Sequence, residues 1–335
     1  MPSARLRRPT PTQEGAVMPR TLIRKNPSNF KTLPLFVEAT PESLSYQSVG
    51  MPMNFAQTLQ RRRKIDVPDT ERFSTELANL GVSVRLTVSW QNRDYWVLVR
   101  QRRQDRGDVV LKLISGYVPA HELTLPLHTA IQEVAEECLI ETPQGWLSGL
   151  FKETWLPAPY AAALHYREAM PFRLSPLSGA ARPVRTGSLT LLERPRAYVH
   201  LPTASLQLIY DMRLEIPKEA RPVSLFHVDE ALENDQLVAR LNRSKPDLYL
   251  MPLDNGSPLP ELYTLKRDKL IPAGTRGLYL AESFAAQDGW VVREERIRWK
   301  DWLHQQGMAP PPKKSGLKRL TGKARQLLQA ISHKL

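Results

Sequence analysis

Glu133, Glu136 and Glu137 stand at positions i, i+3 and i+4 of a stretch with helical periodicity, so the three carboxylates share one helix face. Like charges on adjacent turns repel and destabilise an isolated helix. A divalent cation would remove that conflict. Carboxylate oxygens with open positions for water and phosphate suit Mg²⁺ or Mn²⁺, which bridge diphosphate oxygens and activate a water nucleophile. A solvated helix face is the commoner fate of such a triplet, so its surroundings decide.

The elements that must position the triplet run from Leu111 to Ile140, LKLISGYVPAHELTLPLHTAIQEVAEECLI. Val109, Val110, Leu111, Leu113 and Ile114 form an apolar strand pattern that ends at a Ser115-Gly116 turn. Pro126 suits the first turn of the following helix, where its missing N–H costs nothing. Leu127, Ala130, Ile131, Val134 and Cys138 recur at helical spacing as one buried stripe, roughly opposite the glutamates.

Gly116, Glu122 and the run Gln132-Glu133-Val134-Ala135-Glu136-Glu137-Cys138-Leu139-Ile140 resemble the Nudix box, G-x5-E-x7-R-E-U-x-E-E-x-G-U with U aliphatic. Gly116, Glu122, Glu133, Val134, Glu136, Glu137 and Ile140 match by type. Three positions depart from the pattern. Nine residues separate Glu122 from Gln132 where the family has seven, Gln132 replaces an arginine that orients the glutamates, and Leu139 replaces the glycine at the helix exit. A backbone of positive φ there would suit glycine and strain leucine.

The resemblance implies an α/β fold, a Nudix-type α/β/α sandwich with a mixed β-sheet, carrying irregular basic N- and C-terminal extensions. It implies Glu133, Glu136 and Glu137 as metal ligands and catalytic residues, with the Ser115 carbonyl as a further ligand. Glu122 would support the helix ligands from the loop. The cofactor would be Mg²⁺ or Mn²⁺, and the reaction hydrolysis of a diphosphate linkage in a nucleoside diphosphate derivative. A base or further ligand from outside the box is also implied, and Glu153, Glu168, Glu193, Glu215 and Glu230 are candidates among which the sequence does not choose. His165 and His200 are further acid–base groups, each equally consistent with an ordinary packed or surface histidine.

Flanking patterns extend the same reading. Thr70 to Leu80 reads as a short helix, Val82 to Val88 as an alternating strand and Tyr95 to Val99 as a second strand. Further strands are expected at Trp146–Thr154, Leu206–Ile216 and Val223–Val228, and a closing helix at Leu232–Leu241. Residues 171–205 hold Arg173, Arg182, Arg185, Arg194 and Arg196 with Glu193 as the only acid. A long segment without regular pattern is either functional or loose. Read functionally, Arg182, Arg185, Arg194 and Arg196 are substrate-binding residues on a lid, their guanidinium forks suited to phosphate oxygens; read otherwise, it is a floppy insertion.

The chain has 335 residues, 41% of them hydrophobic, with 29 prolines. Its net charge of +13 lies at the ends: +8 over residues 1–64 and +7 over residues 312–335, leaving residues 65–311 at −2. The organisation expected is a basic, largely irregular extension over 1–68, a Nudix-like domain over 69–256 with the Arg-rich insertion, a C-terminal extension over 257–309, and a proline hinge with a basic amphipathic helix over 310–335. That helix would pack on the protein's own core, lie on an anionic surface or touch nucleic acid. The single cysteine, Cys138, excludes an internal disulfide and a cysteine-based zinc ribbon, and reads as core. No apolar run is long enough to span a bilayer, and no secretory signal is evident. These features point to a cytoplasmic enzyme with a small-molecule nucleotide substrate. The competing expectation is a scaffold that has lost hydrolysis and binds nucleic acid, membrane or protein through its basic termini.

Overall fold

The computed structural model describes residues 19–25, 30–102, 109–233, 236–286 and 289–308. The expected amphipathic helix near the C-terminus lies outside these residues, as does most of the basic N-terminal run before Arg20. No helix among the described residues is long and apolar enough to cross a membrane.

The fold is mostly β, with three α-helices among the described residues and one mixed sheet linking eighteen strands. It is therefore not the α/β/α sandwich of the Nudix type that the box implies. Two of the helices expected from periodicity are strands, which leaves too little helix to cover both faces of a sheet. The described part of the N-terminal segment is not irregular either. It holds β1 (Arg20–Lys25), β2 (Leu35–Ala39), β3 (Leu44–Ser48) and helix α1 (Phe55–Arg61). Thr70–Leu80, expected as a helix, supplies β4 (Phe73–Leu77) and the start of β5 (Asn79–Trp90). Phe73 and Leu77 are buried on one side, and β4 pairs antiparallel with β2.

β5 is the central strand of the large sheet. Its Val82, Val84 and Leu86 are fully buried and alternate with Ser83, Arg85 and Thr87, as the period of two requires. It continues into β6 (Arg93–Arg102), β7 (Val109–Lys112) and β8 (Ile114–Tyr117). Gly116, read as a turn, sits inside β8, opposite Val82 of β5. Helix α2 (Pro126–Glu137) follows, with Pro126 in its first turn as expected. Its Ala130, Ile131, Val134 and the adjoining Cys138 enter the main apolar core with Val82 and Val84.

β9 (Leu139–Thr142), β10 (Gly145–Phe151) and β11 (Tyr166–Pro176) carry the chain onward, with β10 and β11 parallel. Residues 177–205 are threaded into sheets rather than forming a free lid. β12 (Val184–Thr186) runs parallel to β3, β13 (Leu189–Thr190) folds back on it, and β14 (Arg196–His200) pairs with β15 (Ser205–Glu215). β15 lies parallel to β5 over Ser205 to Leu214. β16 (Ser224–Phe226) pairs with β9. The segment expected as a closing helix is instead a hairpin of β17 (Val228–Glu233) and β18 (Gln236–Leu241), completed by β1 as third strand. Val228, Ala239 and Leu241 bury one side of that small sheet against Leu139, Trp146 and Phe226.

Candidate active site

The front of α2 is fixed by the residue expected to support it. Glu122, buried at the end of a short 3₁₀ turn, accepts from Thr129 Oγ1 at 2.5 Å, and its Oε1 lies 2.7 Å from His128 Nδ1. The N-cap residue Leu125 makes no side-chain cap bond, so Glu122 does the anchoring by holding two side chains of the first turn. Tyr46 of β3 donates to the Leu123 carbonyl at 2.7 Å and ties the loop to the N-terminal sheet.

At its other end α2 leaves directly into β9. Cys138, the C-cap, is extended at φ −116°, and Leu139 is a buried strand residue that does not take a positive φ. The strain expected at Leu139 therefore does not arise. Gln132 is partly buried on the helix.

The glutamates face the Ser115-Gly116 backbone. A Cβ on Gly116 would fall 1.7 Å from Glu133 Oε1, so only glycine leaves room for this carboxylate. The Ser115 N–H donates to Glu137 Oε2 at 3.3 Å. Lys112, from the end of β7, reaches into the same place. Its Nζ lies 3.0 Å from Glu137 Oε1, 3.1 Å from Ser115 Oγ and 3.3 Å from the Ser115 carbonyl. The lysine side chain is 12% exposed and that of Glu137 15%.

Glu230 of β17 completes the cluster. Tyr160, buried in the loop after β10, places its hydroxyl 3.3 Å from the Glu136 carbonyl and 3.4 Å from Glu230 Oε1. Of the five outside glutamates, Glu230 is the one brought to the helix. Burial, then the charges of Glu137 and Glu136, push the Glu133 carboxyl well above the usual carboxylate range; Lys112 offsets this in part and Glu230 adds to it. Burial opposes the charge on Lys112, but Glu137 and then Glu133 outweigh it and raise its pKa. Buried His227 is pushed below the ordinary imidazole value by desolvation, and its Nδ1 lies 3.3 Å from the Glu137 carbonyl.

Beside the cluster, a cleft of about 510 Å³ is lined by Ser148, Trp155, His165, Tyr166 and Glu168 among others. Trp155 is half exposed there. Tyr166 connects the two regions: burial raises its pKa to about 12, and Glu136 contributes to that rise.

One of the arginines expected at substrate is engaged within the fold. Arg182 lies 3.7 Å above the Trp290 ring and pairs with Glu71 at 2.7 Å. Arg185 is exposed on β12, Arg194 is exposed in a turn at φ 43°, and Arg196 pairs in register with Ile209 in the β14–β15 ladder. His200 is buried against Thr203, 2.7 Å away, and His165 is on the cleft wall. Lys112 was present in the sequence stretch but carried no signal beyond that of a polar strand residue.

The donors fit Mg²⁺ or Mn²⁺ in type, since all are oxygen. Among the described residues, however, no three His, Cys, Asp or Glu side chains are gathered as a metal-holding group. Two of the expected ligands, Glu137 and the Ser115 carbonyl, are instead held by the Lys112 ammonium. Comparison with protein-family models and with curated proteins found no match.

Proposed function

We propose that the chain hydrolyses a diphosphate linkage in a nucleoside diphosphate derivative, with Glu133, Glu136 and Glu137 holding Mg²⁺ or Mn²⁺. What supports this most is the grouping of half-buried carboxylates on one face of α2: Glu133 packs on Gly116, Glu137 meets the Ser115 N–H and Lys112, and burial first, then the charges of Glu137 and Glu136, raise the Glu133 carboxyl. When bound, the divalent ion supplies charge neutralisation at the phosphoryl oxygens and a lowered pKa for a coordinated water. Glu230, reaching the helix from β17, is the general base by position, with the Tyr160 hydroxyl beside it. The cleft along Trp155 and Tyr166 takes the remainder of the substrate, and the exposed indole offers a stacking face.

The test is turnover of nucleoside diphosphate sugars, dinucleoside polyphosphates, nucleoside triphosphates and capped RNA with Mg²⁺ or Mn²⁺, run beside Glu137→Gln. We expect turnover by the native chain and loss of about a hundredfold or more in the variant. Equal turnover by both, or none by the native chain with either ion, overturns the proposal.

One observation favours a second reading, a binding module without hydrolysis. Lys112 already neutralises Glu137, so the cluster also makes sense as a metal-free ion-paired core. Calorimetric titration with Mn²⁺ separates the two: no uptake with a nucleotide present favours the module.

A further inference from the structure

We propose that the cleft beside α2 is a nucleobase pocket selective for guanine, with Trp155 as its stacking platform and Glu168 as the group that reads the base edge. That the base belongs to a diphosphate substrate rests on the hydrolase reading above; the pocket itself follows from the strands that build it. Its volume of about 510 Å³ lies within the range of roughly 300–1,000 Å³ found for small-molecule sites.

The cleft exists because two strands fall out of step. β10 and β11 pair in parallel at Leu147 and Arg167, and their next pairing is Gly149 with Phe172. Between these points β11 spends five residues where β10 spends two, so Glu168 and its neighbours leave the ladder and open the sheet beside Ser148. On the other side of β10 the chain turns back as the short Thr154–Trp155 strand, which sets Trp155 opposite Leu150. Side chains alternate along β10, which puts the small Ser148 between the bulkier Trp146 and Leu150 on one face. That serine is 8% exposed, lines the cleft, and makes no side-chain hydrogen bond to another described residue. Ala158 and Ala162 line the cleft as well, and their methyl groups leave the space open.

A flat ring suits this space. Trp90, Trp146, Trp290, Trp299 and Trp302 are all buried, whereas Trp155 leaves half of its surface to solvent at the cleft. An indole face held open in this way stacks on the π-face of a base, and any base will do. The edge then sets identity. Glu168 is exposed on the cleft, and an ionised carboxylate accepts hydrogen bonds without donating any. Guanine presents two adjacent donors on one edge, N1–H and the N2 amine, which a carboxylate takes as a pair. Adenine, cytosine and uracil each set an acceptor beside their donor, and a carboxylate repels it. The Ser148 hydroxyl and the His165 ring supply donors for the acceptors of guanine, O6 and N7.

The test uses the full chain without metal and GMP, AMP, CMP and UMP as probes, which share a phosphate and differ in the base. Affinity is read by equilibrium dialysis, and stacking by quenching of the solvent-exposed tryptophan emission. We expect GMP to bind about tenfold or more tightly than the other three and to quench that emission. Trp155→Ala, at an exposed position that spares the core, should weaken GMP binding by about tenfold. Glu168→Gln should abolish the preference for GMP over AMP while quenching persists. Absence of GMP binding, four equal affinities, unchanged GMP binding by Trp155→Ala, or a full GMP preference in Glu168→Gln overturns the proposal. Guanine-selective binding with no turnover of any diphosphate under Mg²⁺ or Mn²⁺ would leave the pocket standing and remove the hydrolase reading. Turnover with equal kcat/KM across the four bases and no GMP preference would do the reverse.

Discussion

At the residue scale, the tightest approach to a glycine among the described residues is that of Glu133 against Gly116. A methyl group on Gly116 would overlap the carboxylate oxygen, and the atom that must move is the end of a flexible side chain rather than backbone. Gly116→Ala is therefore expected to keep most of its stability while swinging the Glu133 carboxylate out of line. Turnover should fall by about a hundredfold, since misplacement of about an ångström is enough to do so. Urea unfolding and the diphosphate assay on one preparation check both halves. A large loss of stability with unaltered specific activity would show that the glycine serves packing alone. The Glu133, Glu136 and Glu137 triplet, Gly116 and Glu122 were legible as a group because their spacing is local. Glu230 was one of five equivalent candidates, because only the β17–β18 hairpin brings it to the helix. Lys112 was hidden in plain view: a lysine at a strand end is ordinarily a solvated charge, and only the return of α2 over β8 encloses it.

At the scale of elements, α2 and the strands before it were readable from periodicity, whereas two apparent helices were strands. Phe73, Thr75 and Leu77 fit a period of two as well as Thr70–Leu80 fits a helix, and the partner strand β2 decides between them. In the same way β18 is held by β1 on one side and β17 on the other, neither visible from its own six residues. Short strands such as β12 and β13 carry too few residues for any periodicity to show. Where strands meet, a polar staple ties three of them. Asp94 of β6 accepts from Arg213 of β15 at 3.1 and 3.2 Å and from Ser89 of β5 at 2.5 Å. The Arg213 bonds first, then Ser89, hold the Asp94 carboxyl below its ordinary pKa. A carboxyl with a lowered folded-state pKa adds stability above its unfolded value and loses it as pH falls through the folded one. Asp94→Asn should thus be less stable than the native chain at neutral pH, with the gap closing between about pH 5 and pH 2. Both side chains are about a third exposed, so the effect is modest. Urea midpoints across that range test it, and a gap that stays constant would mean the ion pair contributes nothing.

At the scale of the whole molecule, Arg182 links parts of the chain far apart in sequence. Its guanidinium stacks on the buried Trp290 ring, whose Nε1 donates to the Thr40 carbonyl at 2.7 Å, and it also bonds Glu71. The N-terminal sheet, the arginine-rich segment and the C-terminal region meet there. Glu71 is 43% exposed, so the stacking is the larger part of the interaction. Arg182→Ala is expected to cost about 1–2 kcal/mol in chemical unfolding. The Michaelis constant for a diphosphate substrate should be unchanged. A raised Michaelis constant with full stability would restore this arginine to a phosphate-binding role. The sequence could not distinguish these fates, because an arginine among prolines and glycines looks the same whether it awaits a ligand or rests on a tryptophan. The expected sandwich failed at this scale too, since a box of twenty-five residues says little about the strands recruited from both ends of the chain.

The pairing of β1 with β18 has a consequence for biosynthesis. Residues near position 20 find their partner only when residues near position 240 have emerged, roughly two hundred residues later. At about 5–20 residues per second this leaves the first strand with an open edge for some 10–40 seconds. During that interval the open edge is exposed to aggregation, and the emergence of β18, rather than the intrinsic speed of hairpin closure, times the final assembly of the small sheet.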